Sequence, residues 1–138
     1  MRSERLAKRI GRTPTVWKLG WLCGYSLVFN KEANDGSGYA NICPQRDSVV
    51  YGVLYALTED ELQKLDQYEG VPCHYRRIIL RVETKEGPQH AECYVAVEDK
   101  VKEGLKPRKD YLQHLIQGAK EHNLPEEYIL KLRNVETL

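Results

Sequence analysis

Between residues 16 and 56 the chain reads as one strand-like run after another, with no helix-length pattern between them. A doubly wound parallel sheet needs a long crossover, usually a helix, between successive strands, so this order argues against one. Residues 16–29 (VWKLGWLCGYSLVF) are rich in aromatic and β-branched side chains, and Tyr25, Leu27 and Phe29 alternate as in a half-buried strand. Residues 30–38 (NKEANDGSG) are turn formers, and short strands are predicted at 39–43 and 48–56. Gly52 inside the second marks a bulge or a close backbone approach. Thr58-Glu59-Asp60-Glu61 is a capping box, which predicts a helix from there to Glu69 with a left-handed exit at Gly70. Strands are predicted at 75–84 and 90–97, joined near Glu86-Gly87-Pro88. An amphipathic helix over 108–122 carries Leu112, Leu115, Ile116 and Ala119 on one side. A last helix, 125–133, has Pro125 in its first turn and Tyr128, Ile129 and Leu132 inward. The order is helix, several strands, helix, two strands, two helices. It predicts an α+β fold: a small, mostly antiparallel or mixed β-barrel-like sheet with helices outside.

The length of 138 residues fits a single domain, 1–138, able to bury roughly two-thirds of its unfolded surface without staples. Lys+Arg is 21 against 20 Asp+Glu, a balance unlike the basic excess of a dedicated nucleic-acid binder. No apolar run approaches the roughly 20 residues that cross a bilayer, so neither nucleic acid nor membrane is an expected partner. Cys23, Cys43, Cys73 and Cys93 form no Cys-x-x-Cys pair and read as reduced thiols in a cytoplasmic protein. Six of the first 18 residues are basic, as in a transit peptide, but Leu6 and Ile10 share a face of a short helix that Gly11 would end. A folded helix with a solvated basic face is the reading taken.

One carboxylate stands out of place. On a helix over 58–69, with Leu62 at zero, Leu65 falls at about −60°, Asp66 at about +40° and Glu69 at about −20°. Glu69 thus projects between the leucines of the apolar face, at the helix end whose carbonyls carry partial negative charge. Both effects disfavour its ionised form and raise its pKa. It reads either as a general acid/base tuned toward neutrality or as a Glu that snorkels out at a frayed end. Asp66 is the rival on that face and could instead cap or orient. His74, His90, His114 and His122 show no metal-ligand spacing and read as surface or strand histidines. Cys73 and His74 are adjacent, which in a strand sends them to opposite faces. Asn34-Asp35-Gly36-Ser37-Gly38 reads as a flexible turn. Tyr75, Tyr94 and Tyr111 could line a pocket with their rings while their hydroxyls bind a ligand.

The run VVYGVLYALTEDELQKLDQYEGVPCHYRR, followed by AECYVA, PRKDY and GAKEHNLPEEYILKL, closely resembles the gamma-glutamylcyclotransferase-like family over nearly the whole chain. The resemblance implies a small barrel with a pocket at one end. It also implies a cofactor-free reaction in which the free α-amine of a γ-glutamyl compound attacks its own γ-carbonyl. The products are 5-oxoproline and a released amine or amino acid. The family's catalytic Glu falls on Glu69, acting as base and then acid, and Tyr75, Tyr94 and Tyr111 match pocket-lining tyrosines. Two departures stand against it. Family members begin with a strand ending in a Tyr-Gly-Ser-Asn loop that cradles the substrate, whereas here Met1 resembles the residue next to the loop's Asn. Arg108 follows Pro107 where the family more often has Ser. The expectation is therefore a weak or inactive enzyme as the chain stands, with an unpaired sheet edge inviting a homodimer. The expected partner is a small γ-glutamyl molecule. A γ-glutamylamine substrate is a variant of the same chemistry. A non-catalytic binding module that retains the barrel but lacks the loop is the alternative.

Overall fold

The computed structural model describes residues 3–138. Met1 and Arg2, and with them the reading of Met1 as the neighbour of the loop's Asn, lie outside the described residues. The architecture is α+β, as the order of periodicities predicts. Helix α1 (Ser3–Ile10) precedes a long hairpin of β1 (Trp17–Glu32) and β2 (Gly38–Tyr55). Helix α2 (Glu59–Glu69) leads into a second hairpin, β3 (Tyr75–Thr84) and β4 (Gly87–Ala96). Helices α3 (Lys109–Glu121) and α4 (Glu126–Arg133) close the chain.

The strands predicted separately at 39–43 and 48–56 are one strand, β2, paired to β1 from Trp17↔Tyr55 to Glu32↔Gly38. The interruption between them is a bulge: the register jumps from Cys23↔Val49 to Tyr25↔Pro44, with Gly24 at φ 81° and Asp47 at φ 62°. The bulge expected at Gly52 therefore sits at Gly24. The close approach sits at Gly20, directly opposite Gly52, where a Cβ would meet Val82 Cγ1 at 2.7 Å. That contact is where β3 crosses β1. The turn of the second hairpin falls at Lys85-Glu86, overlapping the predicted residues at Glu86, and is tied by Thr84 Oγ1 donating to the Gly87 carbonyl at 2.7 Å.

The barrel expectation is corrected. Among the described residues the sheet is open, with strand order β2-β1-β3-β4 and every pairing antiparallel. Closure needs a continuous main-chain ladder between the two outer strands. Here a side chain spans them instead: the Ala96 N–H of β4 donates to Asn41 Oδ1 of β2 at 2.9 Å, and Asn41 is buried. Asn41 Nδ2 in turn donates to Asn30 Oδ1 at 3.0 Å, so the amide is used on both sides. The two hairpins themselves are joined in register at Trp21↔Glu83.

Two apolar clusters hold these layers together. Leu112, Ile116 and Ala119 of α3 pack with Tyr128, Ile129 and Leu132 of α4 onto Leu19, Leu27, Phe29, Tyr51 and Val53 of the first hairpin. These are the inward positions that the helical spacing predicts, and each large side chain so buried contributes about 1.5–3 kcal/mol. The second cluster joins Leu6 and Ile10 of α1 to Leu65 of α2, against Tyr55, Leu57 and Tyr94. It fixes α1 beside α2. Among the described residues no helix is long and apolar enough to cross a membrane.

The capping box of α2 is formed: the Glu61 N–H donates to Thr58 Oγ1 at 3.2 Å and the Thr58 N–H to Glu61 Oε1 at 2.8 Å. Arg12, on the segment after α1, adds a bidentate contact, with Nη2 donating to Glu61 Oε1 at 2.9 Å and Nε to Oε2. Arg12, then the Thr58 backbone bond, holds the Glu61 carboxyl down at about 2, from an ordinary 4.5. A folded-state pKa below the unfolded one means the native state gains from ionisation. That gain is complete above pH 4.5 and is lost as pH falls toward 2. Thermal melts across this window are expected to show wild type losing stability that Glu61→Gln does not lose, because the variant has no proton to take up there.

Candidate active site

A cavity of about 770 Å³ opens where the end of α2 meets the starts of β2 and β3 and the flanks of α1 and α3. This is the size of a small-molecule site. All four residues singled out in the sequence, Glu69, Tyr75, Tyr94 and Tyr111, line it.

Glu69 reaches the cavity from the last turn of α2, with its side chain 20% exposed. Arg9 of α1 lies across from it, Nη1 donating to Oε1 at 3.3 Å. Burial pushes the Glu69 carboxyl above the usual range, while Arg9, then Arg5 and Lys31, pull it back. The raised value follows from placement, as the helical wheel predicts, and the burial outweighs three nearby cations. Gly70 then turns the chain out at φ 67°, its N–H returning to the Asp66 and Gln67 carbonyls. A Cβ at Gly70 would also meet His74 Cδ2 at 2.7 Å. Gly70→Ala is therefore expected to cost about 1–2 kcal/mol for the left-handed backbone alone. A thermal melt reads that loss, and the clash with His74 adds to it.

The tyrosines wall the cavity, and the fold already engages their hydroxyls, Tyr75 and Tyr94 as donors and Tyr111 as an acceptor. The Tyr75 hydroxyl donates to the Ala40 carbonyl at 2.8 Å, and the Ala40 N–H donates to the Tyr111 oxygen at 3.1 Å. Two phenols thus clasp one residue, Ala40, through its carbonyl and its N–H near the start of β2. The Tyr94 hydroxyl donates to Asp66 Oδ1 at 2.7 Å. Asp66, the rival carboxylate, is thus engaged in orienting a cavity wall, with Arg77 Nη1 at 3.6 Å on its other oxygen. Burial comes first in raising the pKa of all three phenols, so they stay protonated.

Two residues not singled out complete the interior. Lys31, from the end of β1, is 5% exposed, and its Nζ lies 2.9 Å from His74 Nδ1. The segment holding Lys31 was read as turn formers. The alternation of Tyr25, Leu27 and Phe29, carried two residues further, would have marked position 31 as inward. His74 loses proton affinity first to the Lys31 charge and then to burial, so its Nδ1 accepts. At the mouth, Arg108 bridges Asp35 at 3.4 Å and Asp110 at 3.0 Å. The turn read as flexible is cross-braced there. Asp35 Oδ1 accepts the Ser37 N–H at 3.0 Å, and the Ala33 N–H donates to the Ser37 carbonyl at 2.9 Å.

The histidines also need correction. His90 is exposed, but His122 is 1% exposed at the end of α3. Its Nδ1 donates to the Gly118 carbonyl at 2.8 Å, which leaves Nε2 to accept from the Tyr55 hydroxyl at 2.7 Å. It is a packing residue under Trp17, edge-on at 4.6 Å.

Comparison with known proteins gives the family and the fold. The model of the AIG2-like family matches residues 49–132, which hold α2, both strands of the second hairpin, and α3. The chain belongs to the AIG2-like family. A gamma-glutamylcyclotransferase of Mus musculus is 32% identical over 101 residues, and one of Homo sapiens 33%. Each alignment covers 72% of this chain and 52% of the relative, so the chain spans about half the length of these relatives. A solved structure of a gamma-glutamyl cyclotransferase superposes with a TM-score of 0.89 at 26% identity, covering 99% of this chain and 83% of the other. An uncharacterised human protein superposes with a TM-score of 0.88 at 27% identity, over the same shares. The AIG2-like fold thus bears out the resemblance drawn from VVYGVLYALTEDELQKLDQYEG and the tail GAKEHNLPEEY.

Proposed function

We propose that the cavity cyclises a γ-glutamyl compound to 5-oxoproline and releases an amine or amino acid. Glu69 takes a proton from the substrate's α-ammonium. The freed amine attacks the γ-carbonyl, forming the ring C–N bond. The original amide C–N bond then breaks as Glu69 returns that proton to the leaving nitrogen, and the ring nitrogen's second proton also passes to the released amine, which departs as an ammonium. One group serves as base and then acid, which a carboxyl raised toward neutrality suits. The cavity's part is to fold the substrate into the five-membered near-attack shape. The observation that carries this reading is Glu69 itself: a largely buried carboxylate, facing a molecule-sized cavity, at the position the family resemblance marks. The gamma-glutamylcyclotransferase relatives support it.

A second reading, a module that holds such a ligand without turning it over, draws on the Arg9–Glu69 contact. A cation there stabilises the carboxylate and opposes proton uptake. Release of 5-oxoproline from a panel of γ-glutamyl amino acids and γ-glutamylamines, by wild type and by Glu69→Gln, separates the two. Binding without any release would leave the second reading standing. The expected homodimer and cytoplasmic location belong with this proposal.

A further inference from the structure

The cavity contains a cation whose donors are only partly used. The Lys31 amine is buried, with the faces of Tyr39 and Tyr75 at 5.6 and 5.7 Å. An ammonium has three N–H donors. Among the described residues, His74 Nδ1 at 2.9 Å is its hydrogen-bond partner, and no carboxylate is in ion-pair contact with it. Two donors are left over in a wall of the cavity. The other basic groups are placed differently: Arg9 is paired with Glu69, Arg108 with Asp35 and Asp110, and Arg5 is only partly buried. A buried, under-used ammonium costs stability unless an anion arrives to meet it.

The chemistry of the reaction says where such an anion must sit. This step rests on the γ-glutamyl reading above. In a γ-glutamyl residue the α-ammonium and α-carboxylate hang from one carbon, each about 1.5 Å from it. A site that brings the ammonium to a base must therefore hold the carboxylate close by, and a cation with spare donors suits that task. Lys31 and Glu69 share the cavity, and each feels the other's charge. We propose that Lys31 binds the α-carboxylate of the substrate, and so fixes which end of the molecule enters first and which amine meets Glu69. His74, held neutral, orients the amine from behind. Burial, then the Lys100 charge, pull the Lys31 amine below its ordinary range against the favourable Glu69 and Glu32 charges, and an anion arriving beside it would favour the ammonium again.

The test reads binding rather than turnover, so that it stands apart from the catalytic claim. γ-Glutamyl-alanine and its counterpart with the α-carboxylate converted to a carboxamide are titrated calorimetrically into Glu69→Gln. A lost charge-assisted pair predicts about 10- to 100-fold weaker binding of the carboxamide. Adding Lys31→Met is expected to weaken the carboxylate ligand and bring the two dissociation constants together, and Lys31→Arg to restore part of the difference. A residue that mattered only for folding would weaken both ligands alike and leave the ratio in place. Equal affinities with Lys31 present, no binding of either ligand, or a ratio that survives Lys31→Met would each overturn the assignment. If Lys31→Met fails to fold by circular dichroism, the ratio with Lys31 and with Lys31→Arg still decides it. Discrimination in binding without 5-oxoproline release from wild type would instead count against the catalytic reading alone.

Discussion

Glu69→Gln is expected to lower 5-oxoproline release by about 10²- to 10⁴-fold, the usual worth of a general acid/base, while leaving the fold intact. Gln keeps the shape and the hydrogen-bonding oxygen but cannot shuttle a proton. The effect on stability has a definite sign. Burial leads the causes that raise this carboxyl, so its folded pKa lies above 4.5. The native state then binds more protons than the unfolded chain in the window above 4.5, and stability falls as pH rises through it. Above the window the cost of a buried charge is fully present. Gln carries no charge, so the variant is expected to melt at the same or a higher temperature than wild type at neutral pH, and to lose any advantage below pH 4.5. Activity lost with stability kept or gained is the signature of a group placed for chemistry rather than for folding. Retained turnover would remove Glu69 from the mechanism. The same raised pKa predicts that the acid limb of the wild-type rate profile lies above the ordinary carboxylate range.

How far the sequence spoke depends on the range of the interaction involved. The capping box at Thr58, the left-handed exit at Gly70 and the inward side of α3 are set within a few residues, and the structure holds them where the spacing puts them. Glu69 was legible for the same reason: a helical wheel needs only its own helix. The bulge at Gly24 was not, because a register jump depends on the partner strand, and Gly24 and Gly52 look alike along the chain. The closing of the sheet was misread because it turns on one amide, Asn41, spanning two strands far apart in sequence. The tyrosines were found as residues but not as bonds. Their rings sit in the cavity, yet their hydroxyls are committed to Ala40 and Asp66 by contacts that no local pattern encodes. Lys31 hid because a lysine after a strand reads as solvated until its neighbours are known.

Gly38→Ala is expected to be the most damaging of the small substitutions, since it strikes the point that carries Lys31 and the Ala40 clasp. An added Cβ would lie 2.1 Å from the Phe29 carbonyl oxygen and 3.0 Å from Leu105 Cβ. The first obstacle is backbone, so no rotamer change relieves it, and the two strands must separate. Gly38 is the register partner of Glu32, and its N–H donates to the Lys106 carbonyl at 2.9 Å, so parting the strands also loosens the segment leading into α3. Overpacking a tight site costs about 1–3 kcal/mol, and the lost ladder bond adds about 1 kcal/mol. For a chain of this size that total lowers the melting temperature by about 10 °C. The consequence for the site follows from geometry: residues 31 and 39 are paired across the same end of the hairpin, and Ala40 is the residue that Tyr75 and Tyr111 grip. Binding of γ-glutamyl-alanine to Glu69→Gln is therefore expected to weaken further when Gly38→Ala is added, even at temperatures where the protein remains folded. Gly52→Ala, where an added Cβ meets nothing within 4 Å, supplies the contrast, with stability and binding both close to unchanged. A Gly38→Ala protein that melts with wild type would mean that the hairpin end is soft enough to absorb the methyl. The cavity would then lose the rigid frame on which the placement of Lys31 depends.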